Sequence, residues 1–156
     1  GIGTVTNQFA DANLPAGSVL QVVSGTTSSR LASSSTSYAD TGLSVSITPS
    51  SSSNKILLIG THADCFKTGT SSTEASIHLR LVRGSTEILD IADRGLLTGT
   101  AAESMGQISF NHLDSPSTTS ATTYKTQFHN HAASALVSVQ QQSAGVSTLI
   151  AMEIVA

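Results

Sequence analysis

What this chain lacks narrows it first. Its single cysteine, Cys65, excludes an internal disulfide framework and reads as a small buried residue. Tryptophan is absent, and Phe9, Tyr38, Phe66, Phe110, Tyr124 and Phe128 are the only aromatics, which predicts a thin core for 156 residues. Charge is scarce too: 7 Lys and Arg stand against 10 Asp and Glu, for a net charge of -3. With pI ≈ 5.9, the chain has no basic footprint for neutralising phosphates, so no nucleic-acid partner is expected. No apolar run approaches the roughly 20 residues of a membrane-spanning helix, and no membrane insertion is expected. The opening Gly1-Ile2-Gly3-Thr4 shows neither the basic nor the apolar part of a signal peptide. There is no Gly-x-Ser-x-Gly elbow, no phosphate loop ending in Lys and no His-Glu-x-x-His pair. A glycosidase needs two carboxyls about 5 to 9.5 Å apart in a cleft with aromatic platforms. A chain with no Trp and two Tyr supplies that cleft poorly. The expectation is a protein that is not an enzyme and uses no cofactor.

What is present is hydroxyl. Ser and Thr number 27 and 20, yet 38% of the chain is hydrophobic, too much for disorder. The hydroxyls therefore belong on strand surfaces and turns. Strand signals recur: Ser18 to Val23, Leu43 to Ile47, Lys55 to Thr61, Ser76 to Arg83, Glu87 to Ile91, Gln107 to Leu113, Thr122 to His131, Ala135 to Gln141 and Thr148 to Val155. Tyr38 marks a short further candidate. Leu43, Val45 and Ile47 alternate with Ser44, Ser46 and Thr48, whereas Lys55 to Thr61 is nearly apolar on both faces and reads as a central strand. The one helical hint is a weak pattern between Thr86 and Glu103. Eight to ten short strands between turn signals predict an all-β antiparallel sandwich or barrel, which a jelly roll satisfies with two four-stranded sheets. Residues 1–15 do not alternate and read as an extended arm or linker, with the sandwich domain over 16–156.

Several segments also resemble one protein type. They are Pro15 to Val23, Ser37 to Pro49, Ser53 to Ile59, Leu79 to Thr86, Leu113 to Tyr124 and Ser147 to Ile154. Together they resemble tail-fibre-like and virion structural proteins of phages of aquatic bacteria, over nearly the whole chain. The resemblance implies a virion component with a jelly-roll head of the tumour-necrosis-factor and complement-C1q type, and a homotrimer. It further implies attachment to other virion proteins through the arm. Two roles fit: a fibre or spike head that grips a host surface polysaccharide, and a capsid or tail decoration protein that reinforces the particle.

Candidate working residues are few. Asp64 to Glu74 and Asp90 to Ser104 interrupt the strand pattern most, and loops on a rigid sandwich carry recognition. Phe66, Lys67, Asp90, Asp93 and Arg94 are the groups there suited to a glycan. His129 and His131, two apart in a strand, project from one face. On a threefold axis three such pairs could hold an octahedral metal, as in His-x-His pairs of some phage fibre tips, which they resemble. Those occur in repeated narrow needles and this pair occurs once, so solvated or interface histidines and no metal are expected. His62, His78 and His112 are expected as hydrogen-bonded residues on or beside the polar faces.

Overall fold

A computed structural model describes residues 14–69, 74–99, 102–132, 135–142 and 144–156. Most of the expected arm, residues 1–13, lies outside them. Ten strands follow in order: β1 Val19–Thr27, β2 Leu31–Ser33, β3 Ala39–Ile47, β4 Lys55–Lys67, β5 Ile77–Arg83, β6 Thr86–Gly95, β7 Ser104–Asp114, β8 Thr122–Asn130, β9 Val137–Val139 and β10 Ser147–Ile154. They form two antiparallel sheets packed face to face. With the short β2 and β9 set aside, one sheet runs β1-β10-β4-β7 and the other β3-β8-β5-β6. The chain changes sheet at each step between long strands except the β5–β6 hairpin, the double Greek key of a jelly roll. β9 continues the edge of β4 where β10 leaves off, pairing with Phe66 and Lys67. No described residue is helical. The weak pattern expected between Thr86 and Glu103 begins with strand β6, and no described residue in it is helical.

Local chemistry sets these limits. Ser50 to Asn54 turns the chain between β3 and β4, with Asn54 N donating to Ser51 O at 3.2 Å. In the β5–β6 hairpin Arg83 pairs with Thr86, and Gly84 takes φ +60°, which opens a two-residue turn that a side chain would strain.

The core lies between the sheets in two parts. The first gathers Leu43, Val45, Ile47, Ile56, Leu58, Leu81, Phe110, Tyr124, Leu149 and Ala151. The second gathers Cys65, Ile77, Leu79, Phe128, Val137 and Val139. Beside them four strands each carry a buried polar residue, Thr41 on β3, His62 on β4, Thr126 on β8 and Ser147 on β10, joined by Gln140. Thr41 Oγ1 meets Thr126 Oγ1 at 2.6 Å, Thr126 Oγ1 meets His62 Nε2 at 2.9 Å, and Gln140 Nε2 donates to His62 Nδ1 at 3.2 Å and to Ser147 Oγ. His62 was expected on the polar surface; the structure places it in this seam. Lys55 to Thr61 is apolar on both sides, so alternation could not show which face His62 takes.

At the base of the sandwich Glu153 is wholly buried, and no cation pairs with it among the described residues. Its Oε1 accepts from Ser50 N and Oγ, both at 2.7 Å, and from Asn54 Nδ2 at 2.8 Å. Gln21 Nε2 donates to its Oε2 at 2.6 Å. Burial raises its pKa; the donors on Asn54, Gln21 and Ser50 outweigh burial, and the carboxyl titrates below its ordinary range. Replacing Glu153 by Leu leaves those donors without an acceptor and is expected to cost about 3 kcal/mol. Urea denaturation measures this, and a loss under about 1 kcal/mol, the size of one ordinary hydrogen bond, would show that the network is dispensable.

Candidate functional site

The two outer faces of the sandwich differ in chemistry. On β3-β8-β5-β6 the outer face is polar and charged. Lys125 Nζ donates to Asp40 Oδ2 at 2.8 Å, Gln127 Nε2 to Asp40 Oδ1 at 2.7 Å, and Arg80 bridges Gln127 and Glu87. On β1-β10-β4-β7 the strand register lays the outward residues in rows. One row is Val22, Met152, Leu57 and Leu113; the next is Ser24, Ile150, Ile59 and Asn111; the third is Thr26, Thr148, Thr61 and Ser109. No charged residue stands in these rows. Val22 is 56% exposed, Leu113 51% and Ile59 41%, and an open trough along β4 and β7 passes Leu57, Ile59, Thr61, Ser109 and Asn111.

An antiparallel sheet that faces water on one side normally alternates apolar with polar residues. β4 and β10 instead carry apolar residues to both sides: Ile56, Leu58, Leu149 and Ala151 into the core, Leu57, Ile59, Ile150 and Met152 outward. Three rows about 6.8 Å apart across four strands about 4.8 Å apart make an uncharged surface, whose apolar part is Val22, Met152, Leu57, Leu113, Ile150 and Ile59.

The residues expected at working loops are distributed as follows. β4 runs on through Phe66 and Lys67, so these are strand residues. Lys67 is fully buried and presents no group to a surface ligand. Phe66 is half-buried and lines a shallow depression with Glu103, Met105, Gln141 and Gln142. Asp90, Asp93 and Arg94 also lie on a strand, β6. Arg94 pairs with Glu74. Cys65 is buried as expected, and burial first, then the charge of Asp64, pushes its thiol up to about 12, so it is no nucleophile.

The histidines form a group of which the sequence spacing announces only the pair His129 and His131. His78 on β5 lies opposite His129 on β8, and their rings are 4.7 Å apart. Tyr38 stands edge-on to both, at 5.5 Å from His78 and 4.5 Å from His129, with Arg80 over its ring at 3.5 Å. His129 Nδ1 meets the Asn130 carbonyl oxygen at 2.8 Å. His78 sits between two carboxylates: Nε2 is 3.3 Å from Asp90 Oδ1, and Nδ1 is 3.4 Å from Asp93 Oδ1. His131 closes the group from just beyond β8.

No family model matches the sequence, and no curated protein matches it. Among solved structures, a chain in the structure of infectious bursal disease virus, Gx strain, overlays 87% of this chain with a TM-score of 0.41 and 14% sequence identity. This chain spans 37% of that chain's length.

Proposed function

We propose that this chain is a non-enzymatic structural subunit of a bacteriophage particle surface, a fibre- or spike-type head that assembles as a homotrimer. The observation that carries the reading is the apolar outer face of β1-β10-β4-β7, taken as the subunit contact. A second copy suits that face because it offers apolar and hydroxyl groups and no charge to steer a partner of opposite sign. The thin aromatic core points the same way, since association buries further apolar surface at roughly 25 cal/mol per Å². The phage setting and the threefold count come from the resemblance in Pro15 to Val23, Ser37 to Pro49 and the later segments. Within this reading the arm over residues 1–15 links the head to other virion proteins. The depression beside Phe66, with its amides and Glu103, is the seat for a host surface polysaccharide.

Light scattering tests the assembly. The wild-type chain is expected at three times its chain mass. Ile59→Lys is expected to fall to a folded monomer, because a lysine at the centre of a dry contact costs several kcal/mol while Ile59 adds little to the core beneath it. A monomeric wild type, or an unchanged trimer in the variant, overturns the contact. A screen of the same sample on host cells and bacterial glycans separates the two roles: binding identifies a receptor-gripping head, and no binding identifies a decoration protein.

A further inference from the structure

We propose that His78, Asp93 and His131 form a binding site for a divalent transition metal of the zinc class, built within one chain on the outer face of β3-β8-β5-β6. Each residue offers one ligand atom, and the three atoms lie within 4.8 Å of one another. They arrive from three places in the fold: His78 near the start of β5, Asp93 near the end of β6, and His131 just after β8. Zinc holds nitrogen and oxygen ligands at about 2.1 Å, which sets neighbouring tetrahedral ligands about 3.4 Å apart. His78 Nδ1 and Asp93 Oδ1 already stand at 3.4 Å. The other separations are no more than 4.8 Å, and the Asp93 side chain is 65% exposed, which leaves it room to turn.

A second observation concerns the far side of the His78 ring. Asp90 Oδ1 lies 3.3 Å from Nε2, at ion-pair distance. Asp93 Oδ1 lies 3.4 Å from Nδ1 on the other side, so the ring stands between two carboxylate oxygens. Metal-binding histidines commonly hold their other ring nitrogen against a carboxylate, which fixes the tautomer and raises ligand basicity. The Tyr38 and His129 rings fix the plane of His78. The nearby cations do not satisfy Asp93, since Arg94 pairs with Glu74 and Arg80 with Glu87.

Two imidazoles and one carboxylate favour zinc and its first-row neighbours over magnesium or calcium. Three protein ligands leave a fourth position open to water. Because all three donors belong to one chain, the site requires no symmetry axis.

The test uses the full chain, purified without a histidine tag and stripped with chelator. Calorimetry with Zn²⁺ is expected to give one ion per chain, and Co²⁺ is expected to give the intense visible bands of a four-coordinate site. Asp93→Ala, on an exposed side chain, is expected to weaken Zn²⁺ at least about 100-fold, and Asp90→Asn about 10- to 100-fold, the range for an outer-shell partner. His112→Ala on β7 is the control and is expected to leave binding unchanged. The melting curve of each variant shows that it is folded. Absence of binding heat and of cobalt bands overturns the site. So does binding that survives Asp93→Ala and His131→Ala in folded protein.

Discussion

Between pH 7 and pH 4 the fold is expected to lose about 3 kcal/mol of stability through His62 alone. The side chain is fully buried in the polar seam, and burial holds its pKa down to about 4 against an ordinary 6.5. Gln140 Nε2 donates to Nδ1, so Nε2 carries the proton and donates to Thr126 Oγ1. A second proton would have to enter at Nδ1, facing the Gln140 amide donor. The unfolded chain takes up that proton as pH falls through about 6.5, whereas the native chain refuses it until about 4. The contribution of His62 is therefore fully present above pH 6.5 and drains away across that window. Glu153 adds to the fall at lower pH, because its depressed carboxyl stabilises the fold only while ionised. Urea midpoints at intervals from pH 7.5 to pH 4 measure the loss. His62→Gln is expected to flatten the profile between pH 6.5 and 4.5, and parallel profiles for wild type and variant would refute the assignment.

Gly25→Ala is expected to cost more than 3 kcal/mol, beyond the usual range for overpacking. A Cβ there would sit 1.9 Å from the Ser44 carbonyl oxygen and 2.9 Å from its carbon. Both are backbone atoms of β3, so relief requires β1 to lift away from the opposite sheet. Gly60→Ala ranks lower, at about 1–3 kcal/mol. Its Cβ would meet the Phe110 ring at 2.2 Å, and a ring can shift where a backbone cannot. Gly17→Ala serves as the reference, since nothing lies within 4 Å and its φ of +88° is the only strain. Chemical denaturation of the three variants gives the order, and a Gly25→Ala protein within 1 kcal/mol of wild type would show that the layers are looser here than their separation implies.

The strands that alternate cleanly were legible. Leu43, Val45 and Ile47 are all buried, as their spacing with serines requires, and Lys55 to Thr61 is the central strand its two apolar faces announce. Legibility failed where the pleat slips. A register shift between His62 and Cys65, with Asp64 at φ +48°, changes which parity points inward. The continuation of β4 through Phe66 and Lys67 then reads as a loop. β6 misleads similarly: Ile88, Leu89, Ile91 and Ala92 mimic helical spacing because the pairing with β5 shifts register three times. For the histidines, the i, i+2 pair of 129 and 131 was visible, but its neighbours were not. His78 and Asp93 reach His131 only through the β5–β8 and β5–β6 pairings, whose registers no local pattern states. The apolar outer face was half visible, in the two-sided hydrophobicity of one strand; its alignment into rows needed the partners.

The position of β10 between β1 and β4 also bears on how the protein is made. Among the described residues Val19 to Thr27 has one strand partner, Ser147 to Ile154, and β3 pairs with β8, so early segments wait for late ones. On the ribosome the first sheet cannot close until synthesis has passed Ile154, and loop closures of this span place folding in the millisecond-to-second range. A nascent or prematurely ended chain exposes two unpaired apolar edges, at β1 and β4, open to any strand nearby. Until β10 joins them, β1 and β4 stay apart and the rows of the outer face cannot line up.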